Sequence, residues 1–211
     1  AEQMRMINVK PKAIILEPFS RNTAPAVTIA ALKSIEYRKD QILLVLSSDH
    51  LIRSKDKYFE AIKKSIEIAE SGKLVTFGVI PTSPETGYGY IQSGDPLFND
   101  EESGYKIKKF IEKPDIFLAK KFIEDKNFTW NSGMFMFKAN TILEELEKYE
   151  PTILRNCRKS LTQGFKDLEF QRLHESSFKK CNNISIDVAI MERTDLGVVV
   201  KLDAGWSDVG S

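Results

Sequence analysis

The sequence predicts an α/β fold built on a doubly wound sheet, and three observations carry that expectation. Apolar runs of strand length, AIIL (13–16), ILLVL (42–46) and LVTFGVI (74–80), alternate with stretches of helical periodicity. The order strand, helix, strand, helix, strand is complete by residue 80, as βαβ units require. Across 211 residues, 42% hydrophobic and 29% charged side chains give the balance of an ordinary core and surface.

Each element has a local reason. AIIL is short, apolar and suited to a buried strand. Residues 24–38 space their apolar side chains at helical intervals, with Thr23 as a cap and Pro25 in the first turn. ILLVL is continuously apolar and ends at SSDH, which predicts a parallel strand covered on both faces. Residues 57–70 read as a helix stopped by Ser71-Gly72, and 74–80 as the next strand. Further on, 105–111 alternates like a half-exposed strand, 115–124 is helical, and 134–138 is strand. Two helices, 140–149 and 152–163, meet at Pro151, and 197–202 is a last strand. No repeat, low-complexity tract or long linker interrupts the pattern, so a single domain over 1–211 with inserted antiparallel strands is expected.

Charge and composition narrow the function. A net charge of +1 favours neither nucleic acid nor an anionic membrane, and no basic stripe with interleaved aromatics occurs. The longest apolar runs are too short to span a bilayer, and AEQMRMINVK has no apolar signal core. Lacking an initiator Met, this start reads as processed or cut. Cys157 and Cys181 are too few for a disulfide framework and read as reduced thiols of a cytoplasmic protein. His50 and His174 are not spaced as metal ligands, and a neutral, hydrogen-bonded role is expected for both. No Ser-His-Asp, C-x-x-C or H-E-x-x-H arrangement is present.

Five stretches carry chemistry. LVLSSDH (44–50) delivers Asp49 at the end of a strand, where open α/β sheets bind ligands and where a carboxylate can hold a hard cation. An N-cap for the next helix is the alternative use of Asp49. PETGYGYIQ (84–92) offers Gly87 and Gly89 for close backbone approach, with Tyr88 as a flat face, though a glycine-rich turn has the same composition. FIEKP (110–114) ends a strand on Glu112 and Lys113, and Pro114 stops it. Lys suits phosphate and Glu suits sugar hydroxyls, while a solvated ion pair is the plainer reading. WNSGMFMF (130–137) holds Asn131, which both donates and accepts. WSDVG (206–210) holds Asp208, either an Asx turn or the second carboxylate of a Mg2+ site with Asp49.

Together these motifs resemble the mannose-1-phosphate guanylyltransferase family. ILEPFSRNTAPA (15–26), LVLSSDH, FGVIPTSPETGYGYI (77–91), FIEKPD, WNSGMFMFKA, SIDVAIMERTD (185–195) and LDAGWSDVGS (202–211) stand in that family's order, over nearly the whole chain. The resemblance implies a Rossmann-like mixed sheet of the nucleotide-diphospho-sugar transferase type and formation of GDP-mannose and pyrophosphate from GTP and mannose 1-phosphate. By that resemblance Asp49 and Asp208 hold Mg2+. Glu112 and Lys113 contact the sugar and its phosphate. Gly87 and Tyr88, with Gly89 beside them, form the sugar-side loop, and Asn131 meets a sugar hydroxyl. Arg21, Asn22 and Thr23 belong to the nucleotide pocket.

One departure stands out. The family opens on a glycine-rich loop of the form G-G-x-G-x-R-L-x-P, and these 211 residues contain none. The expectation is a truncated core, inactive by itself, with an open strand edge through which it could form a homodimer. Two other readings are a related sugar-1-phosphate nucleotidyltransferase and a catalytically silent sugar-nucleotide-binding regulatory module. A structural domain of a bifunctional chain with an isomerase partner is a further one.

Overall fold

A computed structural model of the chain describes residues 2–99 and 103–210. A short helix α1 (Glu2–Met6) precedes β1 (Ile14–Leu16) and α2 (Thr23–Tyr37). Asn22, not Thr23, caps α2: its side-chain oxygen accepts from the Thr23 N–H at 2.8 Å, with φ of 63°. The Thr23 hydroxyl is turned to another task and accepts from the Ile186 N–H at 2.9 Å.

Next come β2 (Ile42–Val45), β3 (His50–Ile52) and α3 (Lys55–Glu70). The cap of α3 is Ser54, so Asp49 is not a helix cap. Gly72, at φ 84°, turns the chain after α3, and β4 (Leu74–Val79) follows with every residue buried. Then come β5 (Tyr90–Pro96), β6 (Tyr105–Ile111), α4 (Ile116–Glu124) and the long β7 (Phe128–Lys138). Asp115 caps α4 by accepting from the Leu118 N–H at 2.8 Å. The second half continues with α5 (Ala139–Tyr149), α6 (Pro151–Thr162), β8 (Phe165–Asp167), β9 (Phe170–Arg172) and α7 (Glu175–Phe178). A π-turn, Asp187–Met191, then β10 (Gly197–Lys201) and β11 (Trp206–Asp208) end it.

Six strands form the main sheet in the order β2-β7-β4-β10-β6-β5, and β5 also pairs with β7. Only β4 and β10 run parallel; the other neighbours are antiparallel. The run 42–46 was expected to be parallel and covered. It is an edge strand, antiparallel to β7, with Leu44 and Leu46 exposed. Here the continuous apolar run reported neither full burial nor direction, because its pairing partner lies some ninety residues downstream. AIIL joins a separate small sheet, β1-β9-β8, parallel to β9. A third pairing, β3 with β11, matches His50 to Asp208.

Helices cover both faces of the main sheet. On one side α2, α5 and α6 pack Val27, Ile142, Leu146 and Ile153 against Phe135 and Phe137 of β7. On the other, Ala61 and Ile68 of α3 meet Val75 and Phe77 of β4 and Val198 and Val200 of β10. No helix among the described residues is long and apolar enough to cross a membrane.

Candidate active site

A cleft of about 420 Å³ opens where the ends of β2 and β6 approach the middle of β7. Its polar lining includes Glu112, Lys113, Asn131, Asp187 and Asp208, and Gly87, Tyr88 and Gly89 form one wall.

Glu112 and Lys113 follow β6 directly. Neighbours on a strand point to opposite faces, yet both line this cleft. The backbone resolves the conflict: Lys113 has φ of 47°, a left-handed turn that side chains other than glycine adopt at a cost. Lys113 Nζ then stands 3.9 Å from Glu112 Oε1, with Lys113 65% and Glu112 22% exposed. Burial, reinforced by the nearby Asp187 charge and only partly offset by Lys113, pushes the Glu112 carboxyl up to about 7. Gly89 makes room for that carboxyl. A Cβ there would meet Glu112 Oε2 at 2.6 Å and Asn131 Cβ at 3.3 Å.

Asn131 is buried in β7 and its amide is fully oriented. Its oxygen accepts from the Thr76 hydroxyl at 2.8 Å and the Gly133 N–H at 3.3 Å. Its Nδ2 donates to Asp187 Oδ1 at 2.7 Å. One amide hydrogen is left for the cleft. Burial raises the Asp187 carboxyl above the usual range, although the Asn131 bond opposes the shift.

The carboxylates of Asp49 and Asp208 converge beside the same cleft. Pairing of β3 with β11 sets Asp208 opposite His50, and the Val209 N–H donates to the Asp49 carbonyl at 2.9 Å. A Cβ on Gly210 would stand 2.9 Å from Asp49 Oδ2 and 3.3 Å from Asp208 Oδ1, so both oxygens face one point. Asp49 is exposed, and the Ser47 hydroxyl that donates to it holds its pKa below the ordinary value. Asp208 also forms an Asx turn, accepting from the Gly210 N–H at 2.8 Å. The turn and a metal role are compatible, because each carboxylate has further lone pairs. Two carboxylates are the oxygen donors a hard cation needs, with phosphate or water completing its shell.

Of the three nucleotide-pocket candidates, Thr23 lines the cleft. Arg21 and Asn22 do not: Arg21 Nη2 donates to the Lys179 carbonyl at 2.9 Å, and Asn22 caps α2.

Residues 2–211 match the model of a family described as nucleotidyl transferase. The chain belongs to the nucleotidyl transferase family. It is 47% identical over 211 residues to the putative mannose-1-phosphate guanylyltransferase of Vibrio cholerae, covering all of this chain and 44% of that protein. With the mannose-1-phosphate guanylyltransferase of Escherichia coli K12 it shares 45% over 214 residues, again all of this chain and 45% of that protein. The chain thus spans under half the length of these curated relatives. Among solved structures, a protein of Helicobacter pylori described as mannose-6-phosphate isomerase is 38% identical. It superposes with a TM-score of 0.88 over 98% of this chain and 79% of that one.

In this nucleotidyl transferase chain, Asp187 lines the cleft although sequence reasoning gave it no role. The signal was there, since it sits in SIDVAIMERTD, but no strand or turn pattern marked it: it opens a π-turn. His50 was expected to be hydrogen-bonded. Instead its buried Nδ1 has no partner among the described residues, and its ring stands edge-on to Trp206, centroids 5.2 Å apart. Tyr88 meets Trp206 at 5.5 Å and Trp130 at 5.3 Å, so the loop that carries Gly87 and Gly89 leans on an aromatic cluster. His174, by contrast, bonds the Ser177 hydroxyl at 2.9 Å.

Proposed function

We propose that this chain is the nucleotidyl-transfer core of an enzyme that makes GDP-mannose and pyrophosphate from GTP and mannose 1-phosphate. One observation carries the reading. Tyr88, Glu112–Lys113, Asn131 and Asp208, from four remote segments, line one cleft, and Asp49, from a fifth, stands beside it against Asp208. The names of the curated relatives support the substrate.

The chemistry suits these side chains. An oxygen of the sugar phosphate attacks the α-phosphorus of GTP, and pyrophosphate leaves. The nucleophile is already an anion, so alignment and charge neutralisation are the demands on the protein. Lys113, exposed at the cleft mouth, offsets the sugar phosphate. Asn131 donates its remaining amide hydrogen to a sugar hydroxyl. Glu112, with its carboxyl near 7, can donate or accept at a neighbouring hydroxyl. Gly89 holds open the space in which that carboxyl lies. Bound between Asp49 and Asp208, Mg2+ would neutralise the α-phosphate. Thr23 is the residue retained for the nucleotide side, while Arg21 and Asn22 act through the start of α2. The proposal includes a single domain and a cytoplasmic location, where GTP is held.

The test is pyrophosphate release by the full-length protein that contains this core, given GTP and mannose 1-phosphate with Mg2+, alongside calorimetric binding of GDP-mannose. Asp208→Asn is expected to lower turnover by roughly a hundredfold or more, as loss of a charge-stabilising group does. Equal turnover with glucose 1-phosphate or with another nucleoside triphosphate would favour a related sugar nucleotidyltransferase. Tight GDP-mannose binding without any turnover would favour a silent sugar-nucleotide module. The isomerase name of the Helicobacter pylori protein is addressed by offering mannose 6-phosphate alone, for which no conversion is expected.

A further inference from the structure

Cys157 and Cys181 lie outside the cleft and have no part in the chemistry above. Cys157 stands on α6 and Cys181 just beyond α7. Both are buried, and their sulfurs are 3.7 Å apart, in contact. Sulfur travel on the order of 2 Å separates that contact from a covalent bond.

The segment carrying Cys181 is clamped on two sides. From the start of α2, Arg21 donates to the Lys179 carbonyl at 2.9 Å, and the Ala24 N–H donates to the Ile184 carbonyl at 3.2 Å. From α6, Asn156 Nδ2 donates to the Lys180 carbonyl at 3.1 Å. The same segment then bonds Thr23 through the Ile186 N–H and enters the cleft at Asp187. These clamps hold the two sulfurs together in the folded chain.

We propose that Cys157 and Cys181 form a reversible intramolecular disulfide, a redox modification site that ties the segment leading to Asp187 onto α6. The oxidant is a peroxide or a small-molecule disulfide such as oxidised glutathione. With peroxide, the Cys181 thiolate attacks one oxygen and hydroxide leaves, giving a sulfenic acid. The Cys157 sulfur then displaces water from it, so two thiols and one peroxide become one disulfide and two waters. With a small disulfide, two exchange steps release two thiols. Cys181 suits the attacking role. The bond from Cys157 and the Arg21 guanidinium draw its thiol downward, whereas the bond to Cys181 and burial hold the Cys157 proton in place.

The experiment equilibrates the chain with mixtures of reduced and oxidised glutathione, quenches by alkylation, and maps disulfides by non-reducing peptide mass spectrometry. The expected product is a monomeric chain with Cys157 linked to Cys181, reversed by excess reduced glutathione. Its equilibrium constant should be at least about tenfold larger in the folded chain than in urea, because folding supplies effective concentration. Cys157→Ser should accumulate a mixed disulfide at Cys181, and Cys181→Ser should leave Cys157 unreactive. Free thiols in the folded chain, at a redox poise that oxidises the unfolded chain, would overturn the proposal. So would linkage only between two chains. The wild-type mapping decides the matter even if a serine variant does not fold.

Discussion

At the residue scale, two neighbouring glycines separate packing from function. Gly89 carries no side chain because Glu112 Oε2 occupies that space, whereas a Cβ on Gly87 would meet nothing within 4 Å. Gly89→Ala should therefore push the flexible Glu112 carboxyl aside with little effect on melting temperature. It should weaken GDP-mannose binding roughly tenfold, about 1.4 kcal/mol. Gly87→Ala adds a methyl that touches no other protein atom, so it should leave the melting temperature unchanged. Unchanged affinity in Gly89→Ala would remove Glu112 from the proposed sugar site. Glu112 also gives a pH signature. The folded chain holds its proton more tightly than the unfolded chain, so this group favours folding at low pH. That contribution disappears as pH rises from the ordinary carboxylate range through about 7. Relative to wild type, Glu112→Gln should gain about 1–3 kcal/mol between pH 5 and pH 8 in urea unfolding. Parallel curves for the two proteins would contradict the burial argument.

At the scale of elements, β4 and β7 hold the site in place. Asn131 is matched to Gly78 across that pair, and the Thr76 hydroxyl of β4 fixes its amide. The contact is tight: a Cβ on Gly78 would stand 2.3 Å from Thr129 Oγ1 and 2.7 Å from Val199 Cγ2. Both neighbours belong to packed central strands with little freedom to move. Gly78→Ala should cost about 1–3 kcal/mol of stability, read as a lower urea midpoint, and disturb Asn131 with it. An unchanged midpoint would mean that the two strands separate more easily than their packing implies.

For the whole molecule, one sheet serves two cores. Trp130 and Trp206 report the α3 side, whereas α5 and α6 contribute helical signal from the other. Because β4, β7 and β10 have side chains in both cores, neither can melt alone without exposing the other. Tryptophan fluorescence and far-ultraviolet circular dichroism should lose their signals at one denaturant midpoint. Two midpoints would divide the chain into separate folding units. The edge strand β2 exposes Leu44, and Leu46 just past its end is exposed too, a surface suited to pairing with a second copy. Sedimentation velocity should show a dimer that Leu44→Lys disperses; a monomer at all concentrations would leave the edge unpaired.

Much of this was legible in local pattern. The helices 23–37, 55–70, 139–149 and 151–162, and the strands 74–79 and 105–111, follow from periodicity and stop signals, because those forces act within a few residues. Glu112, Lys113, Asn131 and Asp208 were recognisable because motif order preserves chemistry even where spacing does not explain it. Strand direction was not legible. The partner that turns 42–45 antiparallel lies in β7, and pairing energy across that distance leaves no mark in the strand itself. Nor could local sequence report the left-handed turn at Lys113, the capture of Arg21 by Lys179, or the entry of Asp187 into the cleft. By itself the sequence determined the longer helices and several of the strands, and it offered candidates for the chemistry. Only the tertiary structure decided which of them meet, because convergence depends on contacts between residues far apart in the chain.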